Sequence, residues 1–354
     1  MSLVGLPLLL LVGAAALVAP VVTGLAWRTG GRRRLGVVGR VAAVLGCQAL
    51  AVSLTFLVVN RDFVFYSSWG DLLGTSAAPT PAIQTQNLVR AGQGSVEVVQ
   101  VHGAASGVDA PVLVWRPPQY DQPAYAHTKF PVLMVLPGQP SSPAVMFAHF
   151  DFGASATRAI ASHLVKPFVA VFPPLMTNPP RDTECTDVPG GPKAETWLAD
   201  DVRDAVLQHA RVATTPRSWA VAGYSTGAFC AVKLLLAHPN LYTDAAGFGG
   251  YYQPITDHTT GNLFGGSRIR YDENSPLWLY GRTGLASGHR ILLLTSQGDP
   301  DSYAETQKML AATRGDPGVS SLVFSTGGHN YRNYAASVPD VLRWLGQGQP
   351  AFAP

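Results

Sequence analysis

The residues of this chain best suited to chemistry are one serine, two aspartates and one histidine. Ser225 lies in GYSTG (residues 223–227), between a short apolar run, SWAVAG, and an apolar segment of helical period, AFCAVKLLLA. A G-x-S-x-G string is common by chance. Between a strand and a helix, however, its two glycines permit a sharp turn that lifts the serine Oγ clear of the sheet. A serine hydroxyl is a poor nucleophile until a base takes its proton, and the base needs a carboxylate to orient it. Both occur downstream. RILLLTS runs into QGDPD with Asp299 and Asp301, and SLVFS runs into TGGHN with His329. The other eight of the nine histidines lack such a placement. Asp299 directly follows the glycine that ends its strand and is the preferred acid. Asp301 is the alternative, and helix capping is left to whichever aspartate is not used.

Acyl transfer through a serine also needs two backbone N–H groups for the oxyanion of the tetrahedral intermediate. One belongs to the residue after the nucleophile, Thr226. The other is expected from the loop LPGQPSS after the third strand, where Gln139 or Gly138 can donate and Pro140 cannot. Gly138 could equally be only a turn residue.

These residues must be carried by a sheet. From residue 95 onward short β-rich runs alternate with helical patterns. SVEVVQV and APVLVW are read as a hairpin, and FPVLMVL, PFVAVF, SWAVAG, AAGFGG, RILLLTS and SLVFS follow. Continuous apolar runs suit strands covered on both faces. Helices are predicted around residues 154–165, 194–211, 226–238, 302–314 and 334–345, which makes an α/β architecture of about eight mostly parallel strands. Residues 251–288 have no clear period and are read as a loop excursion over the active face.

Before the sheet the chain is of another kind. It has 354 residues, 47% hydrophobic and only 13% charged, with a net charge of +3. Residues 1–60 hold five arginines and no Asp, Glu or Lys, so beyond them 20 basic residues face 22 acidic ones. No broad basic surface is implied, which removes the case for a nucleic-acid partner. Residues 3–27 and 41–59 are long and apolar enough to cross a bilayer, with RTGGRRRLGVVGR between them. An arginine-rich short loop is held on the cytoplasmic side, so residues 1–60 are expected to form a two-helix hairpin in the plasma membrane with all that follows outside the cytoplasm. A cleaved signal peptide is the competing reading, but no basic residue precedes the first apolar run. Residues 61–94 are read as a juxtamembrane segment, with Phe63, Phe65, Tyr66 and Trp69 at headgroup level or packed on the globular part, followed by a linker. Residues 95–354 are read as the catalytic domain.

With GYSTG at Ser225, LPG at Gly138, QGDPD at Asp299, GGHN at His329 and this strand pattern, residues 95–346 resemble the esterase D and antigen 85 superfamily of α/β-hydrolases. That superfamily includes S-formylglutathione hydrolases, feruloyl esterases and the mycolyltransferases of actinobacterial envelopes, and the order Ser, Asp, His is that of its fold. The resemblance implies ester hydrolysis or acyl transfer through an acyl-serine, with no cofactor and no metal. It also implies an ester or acyl-lipid substrate and, for the transferase, a sugar acceptor. Two departures stand out. Ala228 occupies a position where many relatives have glycine, and the acid is Asp where the mycolyltransferases carry Glu. A two-helix anchor before such a domain resembles membrane-tethered esterases of actinobacteria. The alternative of another class is a non-catalytic hydrolase-fold domain that binds an envelope lipid, glycan or protein.

Cys185 and Cys230 both fall near the active face and are expected either to form a disulfide or to remain separate thiols. Asp182, Glu184 and Asp187 lack the ligand alternation of a calcium loop and are read as solvated loop acids. Tyr251, Tyr252, Trp278 and Tyr280 flank the excursion, where they line a groove or pack.

Overall fold

The computed structural model describes residues 3, 5–29, 36–63, 69–72, 88–179 and 181–354. Arg32, Arg33, Arg34, Phe65, Tyr66 and the linker around residues 74–87 lie outside them. The chain divides into two compact units, Met1–Pro79 and Thr80–Pro354.

In the first unit, helices α1 (Leu6–Thr29) and α2 (Val37–Phe63) are followed by a single turn, α3 (Trp69–Leu72). α1 and α2 pack on each other: Gly13 leaves room for Leu54, Thr23 Oγ1 lies 3.7 Å from Cys47 Sγ, and the Arg40 guanidinium sits 5.6 Å from the Trp27 ring centre. The remaining apolar side chains, Leu10, Leu17, Val21 and Val38 among them, point outward and are exposed. By length and composition both helices suffice to cross a membrane.

The second unit is built on one eight-stranded sheet. Its strands are β1 (Ser95–His102), β2 (Asp109–Arg116), β3 (Val132–Leu136), β4 (Val169–Phe172), β5 (Trp219–Tyr224), β6 (Asp244–Phe248), β7 (Arg290–Ser296) and β8 (Val319–Phe324), in the order β1-β2-β4-β3-β5-β6-β7-β8. β2 runs antiparallel to both its neighbours, and every other pairing is parallel. Alternation within the strands feeds two separate cores. Val132, Met134 and Leu136 face one layer with Trp197, Phe229 and Leu235; Leu133 and Val135 face the other with Phe147, Phe152 and Leu342. A strand covered on both faces has no polar side, and this is why these runs read as unbroken apolar strings.

Helices α4 (Pro143–His149), α5 (Phe152–Ala161), α12 (Tyr331–Ala335) and α13 (Val338–Gly348) contribute to the second layer. The first takes α6 (Ala194–Thr196), which runs through a wide π turn into α7 (Val202–His209), and also α8 (Thr226–Ala237) and α11 (Pro300–Ala312). Three local features differ from the expectations above. Residues 251–288 contain two short helices, α9 (Arg268–Glu273) and α10 (Pro276–Thr283), each N-capped by a serine: Ser267 Oγ accepts from the Arg270 N–H and Ser275 Oγ from the Trp278 N–H. Two turns are too short for an apolar period, so the capping serines were their only sequence signal. α4, capped by Ser142 and opened by Pro143, is likewise too short to show an apolar period. Residues 88–94 belong to the globular unit rather than to a linker, since Leu88 and Val89 pack into the second core and the Gln93 carbonyl accepts from Trp115 Nε1 at 2.8 Å.

Candidate active site

β5 delivers Ser225 into a turn made possible by absent side chains. A Cβ on Gly223 would stand 2.1 Å from the Gly227 carbonyl oxygen, and one on Gly227 would stand 2.2 Å from the Leu136 carbonyl oxygen. Ser225 itself is held at φ 57°, a conformation that costs a non-glycine residue free energy and that persists because strand and helix fix both ends. Ala228, which follows the turn, is accommodated from the opposite side. The Ala228 methyl faces Gly247 and Gly250, whose added Cβ atoms would approach it to 3.2 and 2.8 Å.

The loops after β7 and β8 lie backbone against backbone: a Cβ on Gly298 would meet the Gly327 carbonyl oxygen at 2.8 Å, and Gly327 has φ 107°. This contact sets Asp299 beside His329. His329 Nδ1 is 2.7 Å from Asp299 Oδ2 and its Nε2 is 2.9 Å from Ser225 Oγ. With Nδ1–H donating to the carboxylate, Nε2 carries the lone pair that accepts from the serine hydroxyl. The ring stacks on Tyr224 at 5.0 Å, and its side chain is 41% exposed, open to water. Asp301 takes no part. It is exposed in the first turn of α11, while the N-cap position is Asp299 itself, whose Oδ2 turns to His329. The expected capping role of Asp301 is therefore corrected to that of an acidic first-turn residue.

Asp299 Oδ2 has a second donor, the hydroxyl of buried Tyr334, at 2.7 Å. Burial raises the Asp299 carboxyl, but the bonds from His329 and Tyr334 outweigh it and hold the group below its ordinary range. No sequence signal pointed to Tyr334, which is brought in by the short α12. Tyr334→Phe is expected to lower kcat about fivefold to tenfold, the worth of one hydrogen bond to a charged group, with KM unchanged in steady-state ester hydrolysis.

On the oxyanion side, the Thr226 N–H opens α8 and has no intramolecular acceptor among the described residues, and the same holds for the Gln139 N–H. The Gly138 N–H faces the Tyr331 hydroxyl, which donates to Ser141 Oγ at 2.6 Å. Gly138 acts by its size: a Cβ there would be 3.1 Å from Ser225 Cβ.

Cys185 and Cys230 form a disulfide that joins the loop after β4 to α8. Lys233, one turn further along α8 and fully buried, donates to the Cys185 carbonyl at 2.8 Å and pairs with Glu195 at 2.9 Å. Asp182 and Glu184 are buried rather than solvated, because the excursion after β6 covers them: Asp182 N–H donates to the Thr259 carbonyl, and Arg181 donates to the carbonyls of Thr260 and Asn262. Asp187 remains exposed. Tyr251 and Tyr252 pack inward, and the Tyr280 hydroxyl donates to Asp316.

Burial raises the Glu195 carboxyl, but the Lys233 ammonium and the His238 ring outweigh it and hold the group at about 2. A native pKa below the unfolded one gives stability that is present above the ordinary 4.5 and is lost as pH falls from there toward 2. Lys233→Met, which leaves Glu195 with His238 as its remaining partner, is expected to cost about 2–3 kcal/mol at neutral pH in denaturant melts and to flatten their pH dependence across that window.

A parallel-centred sheet that presents a serine, a histidine and an aspartate at the carboxyl ends of β5, β8 and β7 defines an α/β-hydrolase of the serine type. The family described as "Putative esterase" matches residues 103–345, and the chain belongs to this esterase family. An uncharacterized protein of Corynebacterium glutamicum is 25% identical over 256 residues, which are 68% of this chain and 58% of that protein, so the chain spans less than two thirds of its relative. Among solved structures, an S-formylglutathione hydrolase of Agrobacterium tumefaciens is 15% identical with a TM-score of 0.63, covering 74% of this chain and 98% of that one. MPT51 of Mycobacterium tuberculosis is 15% identical with a TM-score of 0.53, covering 72% and 99%. At such identity the two structures share the fold.

Proposed function

We propose that the protein is a serine esterase or acyltransferase that acts on carboxylic esters outside the cytoplasmic membrane, to which α1 and α2 anchor it. What supports the chemistry is the unbroken chain Ser225–His329–Asp299 at 2.9 and 2.7 Å, with two unclaimed N–H groups beside it. His329 Nε2 takes the Ser225 proton as Oγ attacks the ester carbonyl. The oxyanion is bound by the N–H groups of Thr226 and Gln139. The ester C–O bond then breaks, and the alcohol leaves with the proton from His329. The acyl-serine is resolved by the reverse sequence, with water giving an acid and a sugar or other alcohol giving a new ester. The exposure of His329 favours water unless an acceptor excludes it.

The anchor reading rests on the two apolar helices and on the five arginines confined to residues 28–40. Substrate class is tested with p-nitrophenyl esters of graded chain length, with and without a sugar acceptor. Hydrolysis alone assigns an esterase, transfer to the acceptor assigns a transferase, and neither sinks the catalytic reading. A C-terminal reporter active only in the cytoplasm is expected to be silent; signal from it would overturn the topology.

A further inference from the structure

The serine esterase reading leaves a buried polar cluster beside the nucleophile unused. The Tyr251 ring lies on Phe229 of α8, with centres 5.1 Å apart and planes 17° from parallel. Its hydroxyl is 2.5 Å from Glu184 Oε1 and 3.2 Å from Thr226 Oγ1. Glu184 is 1% exposed, and its Oε2 has no hydrogen bond of ordinary geometry. A buried carboxyl in that condition is costly and calls for an explanation.

The backbone around it adds to the cost. Glu184 and Cys185 have φ of 48° and 44°, two consecutive residues with side chains in the left-handed region. Three bonds hold them there, all made to α8: the Cys185–Cys230 disulfide and the donations from Lys233 to the Cys185 carbonyl and to Thr186 Oγ1. The segment is thus fixed on the nucleophile helix with Glu184 aimed at Tyr251.

Tyr251 has one hydrogen for two oxygen neighbours. Burial and the neighbouring Asp182 push the Glu184 carboxyl well above its ordinary range against the opposing pull of Tyr251, Lys233 and the Ile255 N–H. The Tyr251 hydroxyl therefore bridges the two, within hydrogen-bond reach of Glu184 Oε1 on one side and of Thr226 Oγ1 on the other. Thr226 needs such a hold. As the first residue of α8 it has no preceding helical turn to fix it, yet in the reading above its N–H must point at the developing oxyanion.

We propose that Tyr251, oriented by Glu184, is the positioning residue for the oxyanion donor Thr226. This inference rests on the serine esterase reading. The oxyanion exists only from the transition state onward, so loss of the hold lowers kcat and leaves KM unchanged.

The test uses the full-length protein in detergent. A fluorophosphonate probe taken to completion counts competent Ser225 sites, and p-nitrophenyl butyrate gives kcat and KM per labelled site. Failure of the wild type to label would overturn the esterase reading and this inference together. With the wild type labelled, Tyr251→Phe and Glu184→Leu are each expected to lose about tenfold in kcat at unchanged KM, the worth of one oriented hydrogen bond, and the double variant to be no slower than either. Glu184→Gln, whose amide can still bond the Tyr251 hydroxyl, is expected to stay within about threefold of the wild type. Wild-type kcat per site in Tyr251→Phe, or Glu184→Gln as slow as Glu184→Leu, would overturn the inference and leave the esterase reading standing.

Discussion

Ser225→Ala is expected to abolish ester hydrolysis, with kcat falling by about 10⁶-fold, because the proton relay and the acyl acceptor disappear together. Stability should barely move. Ser225 occupies the N-cap position of α8 without a side-chain capping bond, and its unfavourable φ belongs to the turn rather than to the hydroxyl. Loss of activity with an unchanged melting temperature and no fluorophosphonate labelling is the expected combination. Undiminished labelling of the variant would move the nucleophile elsewhere.

Asp299→Asn is expected to lower kcat by about 10⁴-fold, because an amide facing His329 Nδ1 no longer fixes the tautomer that leaves Nε2 free to accept. The geometry gives this prediction its control. Asp301, two residues on, is exposed and contacts neither His329 nor Ser225, so Asp301→Asn should stay within about twofold of the wild type, as surface substitutions commonly do. Equal losses at both positions, measured with one activated ester, would reverse the choice of acid.

The eight strands along the chain and the three Gly-flanked edges were legible because each is a local pattern. G-x-S-x-G, QGDPD and TGGHN combine a strand end with residues small enough for the backbones to approach, and the close contacts at Gly223, Gly227, Gly298 and Gly327 are the physical content of those strings. What stayed hidden depends on packing between distant segments. Glu184 looks like any loop acid until the excursion after β6 folds over it. Tyr334 reaches Asp299 only because the short α12 turns it inward. Lys233 sits in a string, AFCAVKLLLA, that reads as a wholly apolar helix, and its partners Glu195 and the Cys185 carbonyl lie 38 and 48 residues away. Spacing cannot reveal pairs of that kind.

The position of β8 carries a consequence for how this enzyme would fail. β8 is the last strand of the sheet, bonded to β7 alone and with half of its residues exposed, yet the loop it feeds carries the base. Ser225, by contrast, leaves a wholly buried strand with partners on both sides. Nucleophile and base therefore sit on parts of the molecule with different free energies of local opening, since an edge strand frays before the centre of a sheet. On warming, His329 is expected to leave reach of Ser225 while the elbow is still intact. Inactivation should then precede unfolding, with faster amide exchange in β8 than in β5 as the measurement that checks it.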